Sequence, residues 1–115
     1  MALHHRYHDA IRRRDFEAIE AMMAPDAAYR SAGVGAIEGR GAILKAFRRY
    51  FAVHADQIDG DETIEAAGPR VSLACWWLTA TNSGTGESVR RQGMERLTLD
   101  AAGLIVLVEV KDNAG

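Results

Sequence analysis

The apolar periodicity of this chain changes after His54, and that change constrains the fold more than any single motif. Before it, apolar residues recur at helical spacing. Leu3, Tyr7, Ala10 and Ile11 fall at i, i+4, i+7 and i+8, one face of a helix, with His4, His5, Arg6, His8, Asp9, Arg12 and Arg13 on the other side. Asp15 is placed to cap a second short helix with the stripe Phe16, Ile19, Met22 and Met23, which Pro25 and Asp26 end. A short strand over 27–31, the turn AGVG (32–35) and a brief strand over 36–38 lead to a glycine break at Gly39. A third helix is expected over 40–54, where Ile43, Phe47, Tyr50 and His54 repeat at four, three and four residues. The period then becomes two. Candidate strands near 57–66, 71–81, 87–99 and 104–111 are separated by AGPR, NSGTGE and DAAG turns, the pattern of an antiparallel meander. This order predicts an α+β fold, with three helices packed on one face of a strongly curved, mainly antiparallel sheet that can wrap a pocket.

A chain of 115 residues supports one domain over 1–115. The formal net charge of −2 gives no sign of nucleic acid or an anionic membrane as partner. Cys75 is the only cysteine and cannot close an internal disulfide. It is most simply a small buried hydrophobe. MALHHRY lacks the apolar core of a signal peptide, and LIVLV (104–108) is much too short to span a bilayer. A cytoplasmic, soluble domain is the expectation.

One charge falls in an unexpected place. In RRQGMERLTLD (90–100), Val89, Gly93, Glu95, Leu97 and Leu99 share the mainly apolar face of a strand. A carboxylate there is costly unless it is paired or functional. Glu95 is therefore a site residue, a buried structural acid, or a sign of the other register. Arg91 shares its parity and could neutralise it; alternatively, burial among Leu97, Leu99 and the helix aromatics would raise its pKa. His54 lies on the stripe of the third helix with Phe47 and Tyr50, and its alternative reading is a helix-end residue near the C-terminal dipole. Parity groups Tyr29 with Ser31, and Val71, Leu73, Cys75, Trp77 and Thr79 on one face of a later strand, leaving Trp76 and Leu78 outside; the opposite register, with Trp76 inside, stays open. Glu38 and Arg91 are candidates for the pocket rim.

Other patterns carry less. In GVGAIEG, with Gly33 and Gly35, Glu38 stands where a dinucleotide fingerprint needs a third glycine. NSGTGES lacks the lysine of a phosphate loop. The basic run at 12–14 suits a helix C-terminus. His4 and His8, one helical turn apart, could share a metal, but the sequence shows no third or fourth ligand, so no metal is expected.

The stretch DFEAIEAMMAPDAAYRS followed by IEGRGAILKAFRRYF, with the closing MERLTLDAAGLIVLVEV, resembles the SnoaL-like or nuclear transport factor 2-like superfamily over nearly the whole chain. The resemblance implies a cone-shaped α+β barrel, a curved sheet around a helix and open at one end to an apolar pocket. Members include ketosteroid isomerases, polyketide cyclases, epoxide hydrolases, dehydratases and non-catalytic binding modules. Against the isomerase branch, Tyr7 falls on an oxyanion-hole tyrosine and Glu95 on a protonated acid that donates a second hydrogen bond. The general base of that branch falls on Ser31, a poor proton acceptor, and this is a departure from the pattern. The alternative for the first pair is a structural hydrogen bond between Tyr7 and Glu95. The resemblance thus implies a hydrophobic carbonyl or hydroxyl compound as ligand. Tyr7 and Glu95 would do acid–base chemistry, and Phe16, Tyr29, Ser31, Phe47, Phe51, His54, Trp77 and Leu97 would line the pocket. It implies no cofactor, and a homodimer formed through the sheets with Trp76 at the interface. The competing reading is a ligand-binding or dimerisation module without catalysis.

Overall fold

The computed structural model describes residues 2–32 and 35–113, so the tip of the turn expected at AGVG, including Gly33, lies outside the described residues. In chain order the elements are α1 (Ala2–Arg12), α2 (Phe16–Met22), β1 (Met23–Ser31), β2 (Gly35–Glu38), α3 (Arg40–Val53), β3 (Ile58–Gly68), β4 (Val71–Thr81), β5 (Ser88–Leu99) and β6 (Ile105–Asp112). Strands β3 to β6 form the expected antiparallel meander. β6 then pairs in parallel with β1, which carries β2 on its other side. The sheet order is β2-β1-β6-β5-β4-β3, and the sheet is not closed. The three helices pack on this open, curved, mostly antiparallel sheet as the α+β pattern predicts.

Local chemistry explains most boundaries. The Asp15 carboxylate accepts a hydrogen bond from the Ala18 N–H (3.1 Å), capping α2. Met23 does not continue that helix but turns extended and opens β1, which therefore starts four residues before the strand expected at 27–31. Pro25 is tolerated inside β1 because the pairing with β6 shifts register between Met23 and Ala28, where no ladder N–H is needed. Arg14, the one non-glycine residue with positive φ among those described, turns the chain from α1 to α2. Its guanidinium lies 3.9 Å from the Phe51 ring centroid and donates to the carbonyls of Ile11 and Gln57. The core joins Tyr7 of α1, Ile19 of α2 and Ile43 of α3 to Met23, Leu97, Ile105 and Val108 of the sheet, all fully buried. Phe47 of α3 meets Tyr29 of β1 edge to face at 5.2 Å.

The register of β4 is the reverse of the one expected. Trp76 stands opposite Gly93 and Ala74 opposite Glu95, and partners in an antiparallel row share a face. The face of Glu95 therefore carries Ser72, Ala74 and Trp76, the first two buried, while Trp77 turns outward and is 38% exposed. Both faces of VSLACWWLT are apolar, so alternation within the strand could not choose between them. Trp76 is consequently not an outward interface residue. No helix among the described residues is long and apolar enough to cross a membrane.

Gly93 fits this packing because β5 and β6 approach closely at that point: a Cβ there would sit 1.9 Å from the Lys111 carbonyl oxygen. Gly93→Ala is expected to lower unfolding free energy in urea by about 3 kcal/mol, the upper range for overpacking. Gly41→Ala, whose added methyl meets nothing within 4 Å, should be neutral or mildly stabilising.

Candidate active site

α1 crosses the sheet so that His4 and His8, one turn apart, sit over the inner face of β4 and β5. The small residues Ser72 and Ala74 leave room for them. Both histidines are buried, at 0% and 7% exposure, although the sequence pattern put them on the solvent side of the helix. Their rings meet edge to face with centroids 4.7 Å apart. Both Nε2 atoms converge on the same oxygen of Glu95. His4 Nε2 donates to Oε1 at 2.7 Å and His8 Nε2 at 2.5 Å. The far nitrogens are held as well: His4 Nδ1 lies 2.7 Å from Ser72 Oγ, and His8 Nδ1 donates to both carboxylate oxygens of Asp61 (2.8 and 2.9 Å). Arg12, one turn beyond His8, donates to Asp61 (2.6 Å) and Asp59 (2.7 Å).

These contacts fix the charges. His8 faces a carboxylate on each side, and an ionised carboxylate can only accept, so both ring nitrogens carry hydrogen. Burial alone would lower the His8 pKa. The charge of Glu95 and the hydrogen bonds to Asp61 and Glu95 outweigh it, and the pKa rises to about 10. Burial pushes the Glu95 carboxyl upward, but the charge of His8 and the hydrogen bonds from His4 and His8 prevail and hold it at about 2. The expectation of a protonated, proton-donating Glu95 is thus corrected: the acid is a carboxylate that accepts from both histidines. Arg91 does not neutralise Glu95. It binds Asp112 through two hydrogen bonds (2.6 and 2.7 Å), with its guanidinium 5.6 Å from the Trp76 ring centroid.

Glu95 and His8 line a cavity of about 110 Å³. Its aromatic wall comprises Tyr29, Phe47, Tyr50, Phe51 and Trp76, and Trp77, on the other face of β4, also borders it. A polar belt runs along one side. Beyond His8, Asp61 and Arg12 it continues through Asp59, which accepts from Gln57 Nε2 (2.8 Å), to Tyr50, whose hydroxyl donates to Gln57 (2.6 Å).

Of the residues expected at the site, Glu95, Tyr29, Ser31, Phe47, Phe51 and Trp77 line this cavity. Tyr7, Phe16, His54 and Leu97 do not. Tyr7 is fully buried, its hydroxyl has no hydrogen-bond partner among the described residues, and it does not bond Glu95. Burial holds its pKa well above the ordinary value, so it stays protonated. Leu97 is core, Phe16 lies beneath the Arg48 guanidinium beside Phe51, and His54 caps α3 with its ring stacked on Tyr50. Glu38 is exposed, near Arg30. His4, His8, Arg12, Asp61, Tyr50, Gln57 and Trp76 were missed as parts of this network. The signal for two of them was present, since His4 and His8 flank Tyr7 at helical spacing.

Three helices on an open six-stranded sheet with a partly aromatic cavity define a class of small cone-shaped α+β domains. The model of the SnoaL-like domain matches residues 4–108, and the chain belongs to that family. Solved structures agree on the fold. A candidate ketosteroid isomerase from Kribbella flavida is 24% identical, with a TM-score of 0.81 over 99% of this chain and 77% of its own. SalBIII, an epoxide hydrolase/cyclase-like enzyme of salinomycin pyran-ring formation, is 19% identical, with a TM-score of 0.79 over 94% and 85%. Rv0760c of Mycobacterium tuberculosis, solved with estradiol-17β-hemisuccinate, is 20% identical, with a TM-score of 0.77 over 91% and 86%. No curated protein sequence matches.

Replacing Glu95 by Gln leaves two buried histidines without their shared anion. The variant should lose about 3 kcal/mol of unfolding free energy, the low end for breaking a buried pair. Because the folded-state pKa of Glu95 is depressed, its contribution is complete above its ordinary pKa of 4.5 and is lost as pH falls toward about 2. Denaturation curves in chelator-treated buffer should therefore show wild type and Glu95→Gln converging over that window.

Proposed function

We propose that this chain is a small-molecule enzyme that does acid–base chemistry on an uncharged, mainly apolar compound bearing a carbonyl or hydroxyl group. The carrying observation is the placement of His8, held between the carboxylates of Glu95 and Asp61 at the polar end of an aromatic cavity. Both N–H groups of that imidazolium are held by Glu95 and Asp61, so it acts on a ligand oxygen by exchanging one of those carboxylates for the oxygen on which negative charge develops. The imidazole left after transfer is itself a base and can recover a proton from the ligand. Ser31, where the isomerase pattern has a carboxylate, also lines the cavity, so His8 takes over the proton traffic that a second acid would otherwise carry. Every cation lining the cavity is already matched by an anion: His8 by Glu95 and Asp61, Arg12 by Asp59 and Asp61, Arg91 by Asp112. A charged ligand would have to break one of these pairs, which favours a neutral one. The steroid body of the ligand seen with Rv0760c, which also carries a succinate carboxyl, and the ring closure named for SalBIII, both on this fold, support the apolar part of the ligand class.

A minimal probe tests this without knowledge of the natural substrate. With 2-tetralone in deuterated buffer, the wild-type protein should accelerate exchange of the hydrogens next to the carbonyl. His8→Gln should remove about 10²-fold of that acceleration, within the usual range for a general acid–base group. Binding of the ketone, seen as quenching of tryptophan fluorescence, with no exchange above buffer would point instead to a binding module.

A further inference from the structure

We propose that His4 Nε2, His8 Nε2 and the Glu95 carboxylate form a binding site for one divalent first-row transition-metal ion, with its open coordination positions facing the cavity. The three donors come from two rigid elements, α1 and β5, are all buried, and lie within 4.8 Å of one another. Two imidazoles and a carboxylate are a donor set that suits zinc, iron, cobalt or manganese as dications. The surroundings are those a metal site needs. The nitrogen of each histidine that points away from the cluster is already engaged, with Ser72 Oγ for His4 and with Asp61 for His8, and Arg12 in turn anchors Asp61. Such outer contacts fix the ring orientation and leave Nε2 as the coordinating atom. Ligands on one ion at 2.0–2.2 Å sit about 3 Å apart, so Oε1 has to withdraw by roughly 0.5 Å from the two nitrogens as the ion replaces their protons. His8 and Glu95 line the cavity while His4 lies behind them, so the remaining positions are turned toward solvent and ligand. The buried charge also balances, since a dication is offset by Glu95 and Asp61. Metal binding does not depend on the acid–base reading. It does have a consequence for it: an ion occupies the lone pair of His8, so the loaded protein should lose proton exchange.

The test is titration of chelator-treated, untagged full chain with Co²⁺, followed by visible d–d absorption and calorimetry, with Zn²⁺ as competitor. One ion per chain is expected, with intensified absorption characteristic of a low-coordinate nitrogen and oxygen site. His4→Gln, His8→Gln and Glu95→Gln should each weaken binding by at least about 100-fold, and Asp61→Asn by about 10-fold through the outer contact. His5→Gln, on the exposed side of α1, should bind as wild type. Circular dichroism checks folding, and if Glu95→Gln does not fold, the histidine variants and Asp61→Asn carry the test. Absence of a stoichiometric Co²⁺ spectrum, or affinity retained in His4→Gln, overturns the site. Exchange of 2-tetralone in chelator is read separately, so failure of the metal site and failure of the acid–base reading give different results.

Discussion

The structure turns on one buried carboxylate. Glu95 sits in the sheet interior, where an uncompensated charge would cost several kcal/mol, and two imidazoles from a single helix compensate it. That requirement sets the angle and depth of α1 on the sheet. Ser72 and Ala74 are small because histidine rings stand over them, and Tyr7 faces the core because its neighbours on the same helix face the acid. The pairing also couples distant parts of the chain, joining residues 4 and 8 to residue 95, and through Asp61 and Arg12 to β3.

The cavity is a consequence of the same arrangement. With α1 anchored at Glu95 and α3 packed by Phe47 on Tyr29, the open sheet leaves a space whose walls are aromatic and whose one polar side is the hydrogen-bonded belt from His8 to Tyr50. Under the proposed function, the aromatic walls take the apolar body of the ligand and the belt takes its oxygen. The internally paired charges disfavour ions. Fold alone would not give this chemistry, because the family shares its architecture among enzymes and non-catalytic domains.

Much of the fold was legible in the sequence because periodicity follows directly from which face is buried. The change of period after His54, the Asp15 cap and the turns at AGPR, NSGTGE and DAAG placed nearly every element. Glu95 was legible as a site residue because a charge on an apolar face has few explanations. Its protonation state was not, since that depends on partners 87 and 91 residues away. Histidine is polar by type and was assigned to solvent, whereas its ring can be buried where both nitrogens are satisfied, as they are at His4 and His8. The β4 register failed for a different reason: Trp76 and Trp77 are adjacent and equally apolar, and only cross-strand pairing with Gly93 and Glu95 decides which one turns inward. Tyr7 shows the limit of carrying a role over by position, because in this chain the hydroxyl stays in the core.

His8 is an imidazolium locked between two carboxylates. Nitrogen-15 NMR of the imidazole side chains in chelator-treated protein, followed from pH 6 to pH 11, measures this directly. His8 should show two protonated ring nitrogens through neutrality and deprotonate near pH 10, with the transition moving down toward the ordinary histidine range in Glu95→Gln. A His8 that is neutral at pH 8 in the folded wild-type protein would contradict the account.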